Sequence, residues 1–288
     1  MERLLAGQPG TVTLKVYNED GVLTDATGSV SVLVEDSAGT DVSTGTATKT
    51  PTTTGTYTYT VPKTVTENLD AYSVSWTYTV AGVSRTAKTY FEAVGGHLFE
   101  IADFRARDTA LADATIYPSD KVRAARVAAE QRFEKHAKVA FVPRARTVVL
   151  NGDNTTRIVV PDAELRVVYS ASIDGVDLTE EEMDYLEVDP SGIIRRNDEK
   201  HWTAGFKNVV ITYEHGYDSP PEPVKNAVMM LAFEELVPSS LNPRATSQST
   251  DLGEFRISVA NVDAGRFTGI PDVDAVIQTF GRNRPSVG

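Results

Sequence analysis

Few side chains in this sequence stand where their type and spacing could do covalent chemistry. The four histidines, His97, His136, His201 and His215, have no short spacing that would bring two imidazoles onto one metal ion. There is no cysteine, which excludes disulfides, thiolate zinc sites, iron–sulfur clusters and cysteine nucleophiles. Glycine loops for phosphate or dinucleotides, the His-Glu-x-x-His zinc pattern and the Gly-x-Ser-x-Gly nucleophile turn are all missing. The acidic run Thr179-Glu180-Glu181-Glu182-Met183-Asp184 offers carboxylates to a hard cation, but without alternating ligand positions or a glycine at the bend. Thr179 with Glu182 three residues on reads instead as a helix cap. Arg195-Arg196 and the basic stretch from Lys121 to Lys138 could meet phosphate, although a solvated face is the plainer reading in so acidic a chain. No catalytic residue, metal ligand or cofactor is therefore assigned. A hydrolase, which needs a paired nucleophile and base or a metal, is disfavoured.

Two tryptophans remain. Trp76 stands in phase with apolar neighbours and belongs in a core. Trp202, in the polar stretch His201-Trp202-Thr203-Ala204-Gly205, reads as an interface anchor beside a glycine turn.

The elements that would position these residues fall into distinct textures. The chain has 288 residues, enough for about two domains. Its 28 basic and 40 acidic residues leave a net charge of −12, a poor balance for clasping nucleic acid over the whole surface. No apolar run approaches the roughly 18–20 residues of a membrane span, and the opening MERLLAGQPG shows no apolar signal region. The absence of cysteine fits folding in a reducing cytosol.

Residues 1–95 are rich in Thr, Ser, Val and Tyr, with period-two alternation. Val12, Leu14 and Val16 point one way, as do Val30, Val32 and Val34, then Tyr57, Tyr59 and Val61, then Tyr72, Val74, Trp76, Tyr78 and Val80. Asp20-Gly21, Ala38-Gly39, Thr54-Gly55 and Ala81-Gly82 punctuate the runs. Five or six short strands predict an all-β, immunoglobulin-like sandwich.

Gly95-Gly96 ends that texture, and residues 96–238 predict an α+β domain of helices and a small antiparallel sheet. A first helix places Leu98, Ile101, Ala102 and Arg105 on one face, with Phe104 and Leu111 on another. A second, Asp120 to Lys138, carries the stripe Val122, Ala125, Ala129 and Phe133 opposite a basic face, its small alanines permitting close approach to a neighbour. Strands are expected at Ala140–Val142, Thr147–Leu150, Arg157–Val160, Leu165–Tyr169 and Asn208–Tyr213, with turns at Asn151-Gly152, Asp174-Gly175 and Asp189-Pro190-Ser191-Gly192. Ser219-Pro220-Pro221-Glu222 reads as a capping box opening a third helix. That helix is apolar on several sides: Val224, Ala227, Val228, Leu231 and Ala232, widened by Met230 and Phe233.

Residues 239–288 predict an extended C-terminal arm. Ser239 to Gly253 is polar and loop-like, Glu254 to Val259 alternates as a strand, and Ile270-Pro271-Asp272 opens a short amphipathic helix ended by Gly281. So short a helix is marginal without a surface to lie on. Its apolar residues Phe255, Ile257, Phe267, Ile270, Val273, Val276, Ile277 and Phe280 are therefore expected to dock on another molecule. Ala125, Ala129, Met230, Phe233 and Trp202 are expected at contacts between copies of the chain.

From His97 onward a series of strings carries a family resemblance: His97-Leu98-Phe99-Glu100-Ile101-Ala102-Asp103-Phe104-Arg105, Ala140-Phe141-Val142-Pro143-Arg144, Val210-Ile211-Thr212-Tyr213-Glu214-His215-Gly216 and Pro220-Pro221-Glu222-Pro223-Val224-Lys225. Arg244-Ala245-Thr246-Ser247 and Thr268-Gly269-Ile270-Pro271-Asp272-Val273-Asp274-Ala275 continue the series. In their order they resemble the head-to-tail adaptor (connector) proteins of long-tailed bacteriophages, particularly those of actinobacterial hosts. The sandwich looks like the immunoglobulin-like modules appended to phage structural proteins. The resemblance implies a non-enzymatic virion protein, assembled in the host cytoplasm as a ring of usually twelve copies. Its partners would be the portal protein, clasped by the C-terminal arm, and a stopper or tail-completion protein on the opposite face. Genomic double-stranded DNA would pass through an acidic lumen without sequence-specific binding, and no membrane is involved. A carbohydrate- or surface-binding adhesin is the competing reading; it would need Tyr57, Tyr59, Tyr72, Tyr78 and Tyr90 clustered in the open.

Overall fold

The computed structural model describes residues 1–237, 248–250, 253–255 and 268–282. Five or six strands were expected in the first 95 residues, and the chain there forms seven: β1 (Glu2–Leu5), β2 (Gly10–Lys15), β3 (Val30–Glu35), β4 (Asp41–Lys49), β5 (Thr56–Val61), β6 (Asp70–Val80) and β7 (Val83–Val94), with one helical turn, α1 (Lys63–Thr66), before β6.

 
The sheet runs in the order β1-β7-β6-β3-β4-β5-β2. β1 lies parallel to β7 and every other pair is antiparallel. β4 pairs with β3 along Asp41–Ala47 and with β5 at Thr48–Lys49, so one strand carries the sheet around a corner and nearly closes it. The expected alternation is what fills the interior: Val12, Leu14, Val16, Val30, Val32, Val34, Tyr72, Val74 and Trp76 are all buried. The polar ends of the aromatics are satisfied. Trp76 Nε1 donates to Thr89 Oγ1 at 2.8 Å, Tyr72 Oη donates to the Val65 carbonyl at 2.7 Å, and Tyr57 Oη accepts from Ala26 N at 2.8 Å. Ala81 and Gly82, at φ +51° and +79°, make the tight β6–β7 turn.

Next come α2 (Ile101–Ala106), a single 3₁₀ turn (Thr109–Ala112) and α3 (Ser119–Ala137). The first helix is shorter than expected, and its buried residue is Phe104, while Ala102 is exposed. α3 matches its expected span and buries Val122, Ala125, Ala129 and Phe133. Arg126, read from sequence as part of the basic face, is buried as well.

A second strand region follows: β8 (Arg144–Gly152), β9 (Arg157–Val159), β10 (Leu165–Ile173), β11 (Val176–Asp177), α4 (Glu180–Asp184), β12 (Leu186–Asp189), β13 (Ile193–Arg196) and β14 (Gly205–His215). They form a four-stranded sheet, β11-β10-β14-β8, and a three-stranded one, β12-β13-β9. A shared core gathers Ile158, Val160, Leu165, Ile194, Trp202, Val209, Ile211 and Tyr213. Two expectations need correction. Ala140–Val142 is buried coil, because the Phe141 amide is taken by the Glu134 carboxylate at 3.2 Å and not by a neighbouring strand. Asn151-Gly152 is the end of β8 and not a turn: Gly152 pairs with Gly205, and a Cβ there would fall 1.9 Å from the Thr203 carbonyl oxygen.

The chain ends with α5 (Glu222–Leu236), a hairpin of β15 (Gln248–Thr250) and β16 (Gly253–Phe255), and α6 (Pro271–Phe280). The expected capping box at Ser219 does not form. α5 starts behind Pro221 with no side-chain cap, and the prolines set the backbone for its first turn.

By packing, the described chain divides into two compact units: Met1–His97 with Val142–Asp218, and Leu98–Phe141 with Ser219–Gly288. The grouping cuts across the division 1–95, 96–238 and 239–288 read from composition, because strands 142–218 group with the N-terminal sheet while segments on either side of them make the helical unit. In that unit α3, α5 and α6 pack on one another.

Candidate interaction surfaces

The chemistry-bearing residues of the sequence turn out to be built into structure. Thr179 caps α4 as expected: its Oγ1 accepts from Glu182 N at 3.3 Å, and Glu182 Oε2 accepts from Thr179 N at 3.0 Å. The other Glu182 oxygen accepts from Lys200 Nζ at 2.8 Å and Arg196 Nη2 at 2.9 Å. These donors, led by Lys200, pull the Glu182 carboxyl down from the usual range to about 2. Arg196, 3% exposed, also grips Asp198 through two nitrogens at 3.1 and 2.6 Å. It is consumed by this pairing, which leaves Arg195 as the exposed member of the expected phosphate-facing pair.

Trp202 requires a correction. It is fully buried in the core of the second strand region, with the Arg196 guanidinium carbon 5.7 Å from its ring centroid. The polar string around it hid this, because its shelter comes from β9, β13 and β14 and not from its sequence neighbours. It is not an anchor between copies. Ala125 and Ala129 are likewise buried within their own chain, where α3 packs against α5. Their small size serves that intramolecular approach.

The tail helix also departs from expectation. Val273 is 0% and Ile277 2% exposed, in a helix packed against α3 and α5 of the same chain. Thr268 N and Oγ1 both donate to the buried Asp274 carboxylate, at 2.8 and 2.7 Å, and tie down the start of α6. Arg132 Nη2 reaches the Thr268 carbonyl at 2.9 Å, and Arg282 N bonds the Ala137 carbonyl at 2.8 Å. The premise that this segment has no shelter in its own subunit is therefore wrong for 271–280. Ile270, Val276 and Phe280 are half-buried. Ile257 and Phe267, and the side chain of Phe255, lie outside the described residues.

Among the described residues, an apolar groove of about 460 Å³ remains open in the helical unit. Phe104 and Leu111 form one wall, and Met229, Met230, Phe233 and Val237 of the α5 end form the other. Phe233 is 40% exposed. Asp108, Glu234 and Arg107 stand at the rim. Met230 and Phe233 were expected at a contact surface; Phe104 and Leu111 were not, since only tertiary packing brings them opposite α5. Methionine suits a surface that must adapt to what it meets.

The histidines do not gather. His201 is exposed, and His215 is buried, its pKa lowered chiefly by that burial. His136 is also shifted down, by burial first and then by Lys135 and Arg132. Among the described residues no group of three or more His, Asp or Glu could hold a metal ion. Nor is any helix among them long and apolar enough to cross a membrane. Of the five tyrosines an adhesin face would need, Tyr57 and Tyr72 are core, Tyr59 and Tyr78 are partly buried, and Tyr90 alone is exposed.

No protein-family model matches the sequence, and comparison with curated proteins finds no match. Among solved structures, the chain is similar to one from the neck of an empty GTA particle computed with C6 symmetry, at 13% identity and a TM-score of 0.44. The similarity covers 66% of this chain and 93% of that one. A likeness this loose carries no argument about function.

Proposed function

We propose that this chain is a structural, non-enzymatic protein of a phage-like particle: a head-to-tail adaptor that self-assembles into a twelve-copy ring between portal and stopper.

 The ordered strings from His97 onward support this reading. The structural observation that carries it is the apolar groove at the end of α5, which the described part of the chain leaves open and which a neighbouring protein would cover. The N-terminal sheet, read as immunoglobulin-like, would be an appended module. The acidic total of −12 suits a lumen along which DNA slides without sticking.

The docking of α6 removes one support. Portal clasping would have to use the arm outside 271–280, or α6 would have to leave its seat on α3 and α5. Electron microscopy of the negatively stained full chain, alone and mixed with portal rings, tests the proposal. Rings, or chains bound to portal, are the expected result; monomers that ignore portal would overturn it. Lysine substitutions on the lumen face should slow DNA ejection.

A further inference from the structure

Four residues beyond the buried Trp202, the chain does the opposite with an aromatic. Phe206 is 80% exposed, more than any other large hydrophobic side chain among the described residues. Its position is built by a bulge: Gly205 pairs with Gly152 and Val209 with Leu150, so β14 has two more residues than β8 in this interval. Lys207 sits at φ +52°, a left-handed conformation that costs a non-glycine residue energy. Hydrogen bonds hold the bulge in place. Lys207 N donates to Asn151 Oδ1 at 2.7 Å, Gly152 N to Asn208 Oδ1 at 3.0 Å, and Asn208 Nδ2 to the Thr203 carbonyl at 2.9 Å. The Lys207 ammonium lies 5.4 Å from the Phe206 ring centroid. Strain and polar bonds are thus used to hold a greasy, cation-flanked knob in water, which folding alone does not require.

The groove at the end of α5 is the matching feature: apolar walls with Asp108, Glu234 and Arg107 at the rim, Glu234 being shared with Arg132 at 3.1 Å. We infer that the Phe206–Lys207 knob of one copy inserts into the groove of a second copy of this chain, with Lys207 facing the rim carboxylates. This inference rests on the self-assembly reading above and specifies its contact. A knob and a hole made by different residues of the same chain give a heterologous interface, which propagates head to tail and can close into a ring. A central aromatic in an apolar pocket, ringed by charge, is the usual form of an interface hot spot.

The test uses the full chain. Phe206→Ala removes the knob and Phe233→Glu spoils the groove; both sites are exposed enough for the fold to survive, which circular dichroism checks. In sedimentation velocity the wild type should assemble beyond dimers with rising concentration. Each variant alone should lose self-association by roughly tenfold or more in Kd. An equimolar mixture should recover dimers and nothing larger, because one intact knob then meets one intact groove. Variants that assemble as well as wild type, or a folded pair that fails to complement, would overturn the knob-and-groove contact while leaving ring formation standing. A wild type that stays monomeric throughout would overturn self-assembly itself. Since the chain has no cysteine, mixed Lys207→Cys and Met230→Cys single variants, which keep Phe206, give a second readout: a disulfide-linked dimer on mild oxidation supports the contact, and none opposes it.

Discussion

The N-terminal sheet closes around Trp76 with side chains drawn from strands that alternate within themselves, whereas the helical unit gathers Phe104, Phe133, Leu231 and Ile277 from segments that stand far apart in the chain. The contrast shows two ways to make a core. In the sheet each strand announces its buried face every second residue. In the helical unit no single helix has a complete partner surface until the others arrive, and α6, only ten residues long, depends on α3 and α5 for its existence.

That contrast can be broken or sharpened by experiment. The largest expected effect is Trp76→Ala, which empties the sheet interior and orphans Thr89; it should cost about 3–5 kcal/mol in urea unfolding. Ile277→Ala should cost about 2–3 kcal/mol, while the sheet signals in near-ultraviolet circular dichroism stay native. Loss of less than about 0.5 kcal/mol, the usual size of a surface change, would show that α6 does not rest on α3 and α5 in solution.

Acid should act on the second strand region. Glu182 titrates at about 2 when folded and at its ordinary value of 4.5 when unfolded. Its contribution is thus fully present above about 4.5 and is lost as pH falls toward 2. Asp198, lowered chiefly by Arg196, adds in the same direction. The urea midpoint should fall steeply across that window, and Glu182→Gln should flatten the dependence; an unchanged profile would remove the network from the stability of this region. The smallest effect belongs to Thr179→Ala, which deletes one half of the α4 capping box and should cost about 1 kcal/mol.

Resolving why these features were readable or hidden comes down to where each residue's partners lie. The alternation of β2, β3, β5 and β6, the α3 stripe, the Asp174-Gly175 and Asp189–Gly192 turns and the Thr179–Glu182 cap are all patterns within a few positions of one another, so periodicity and turn chemistry reveal them; β1, β4 and β7 carry no such named run. Trp202 is polar in its neighbourhood and apolar in its surroundings, and nothing local distinguishes it from Phe206. Gly152 looks like a turn because glycine often is one; only the approach of the Thr203 carbonyl explains it.

The sequence by itself determined the absence of thiol chemistry, the acidic balance, the all-β start and the apolar character of α5, since each is set by composition or by spacing along one element. Tertiary structure alone decided that α6 is sheltered by its own chain, that Trp202 is core, that Arg196 is consumed by Glu182 and Asp198, and that the described residues leave a groove open beside Phe233. The physical reason is that burial and pairing are properties of what surrounds a side chain in space, and here the surroundings come from segments tens of residues away.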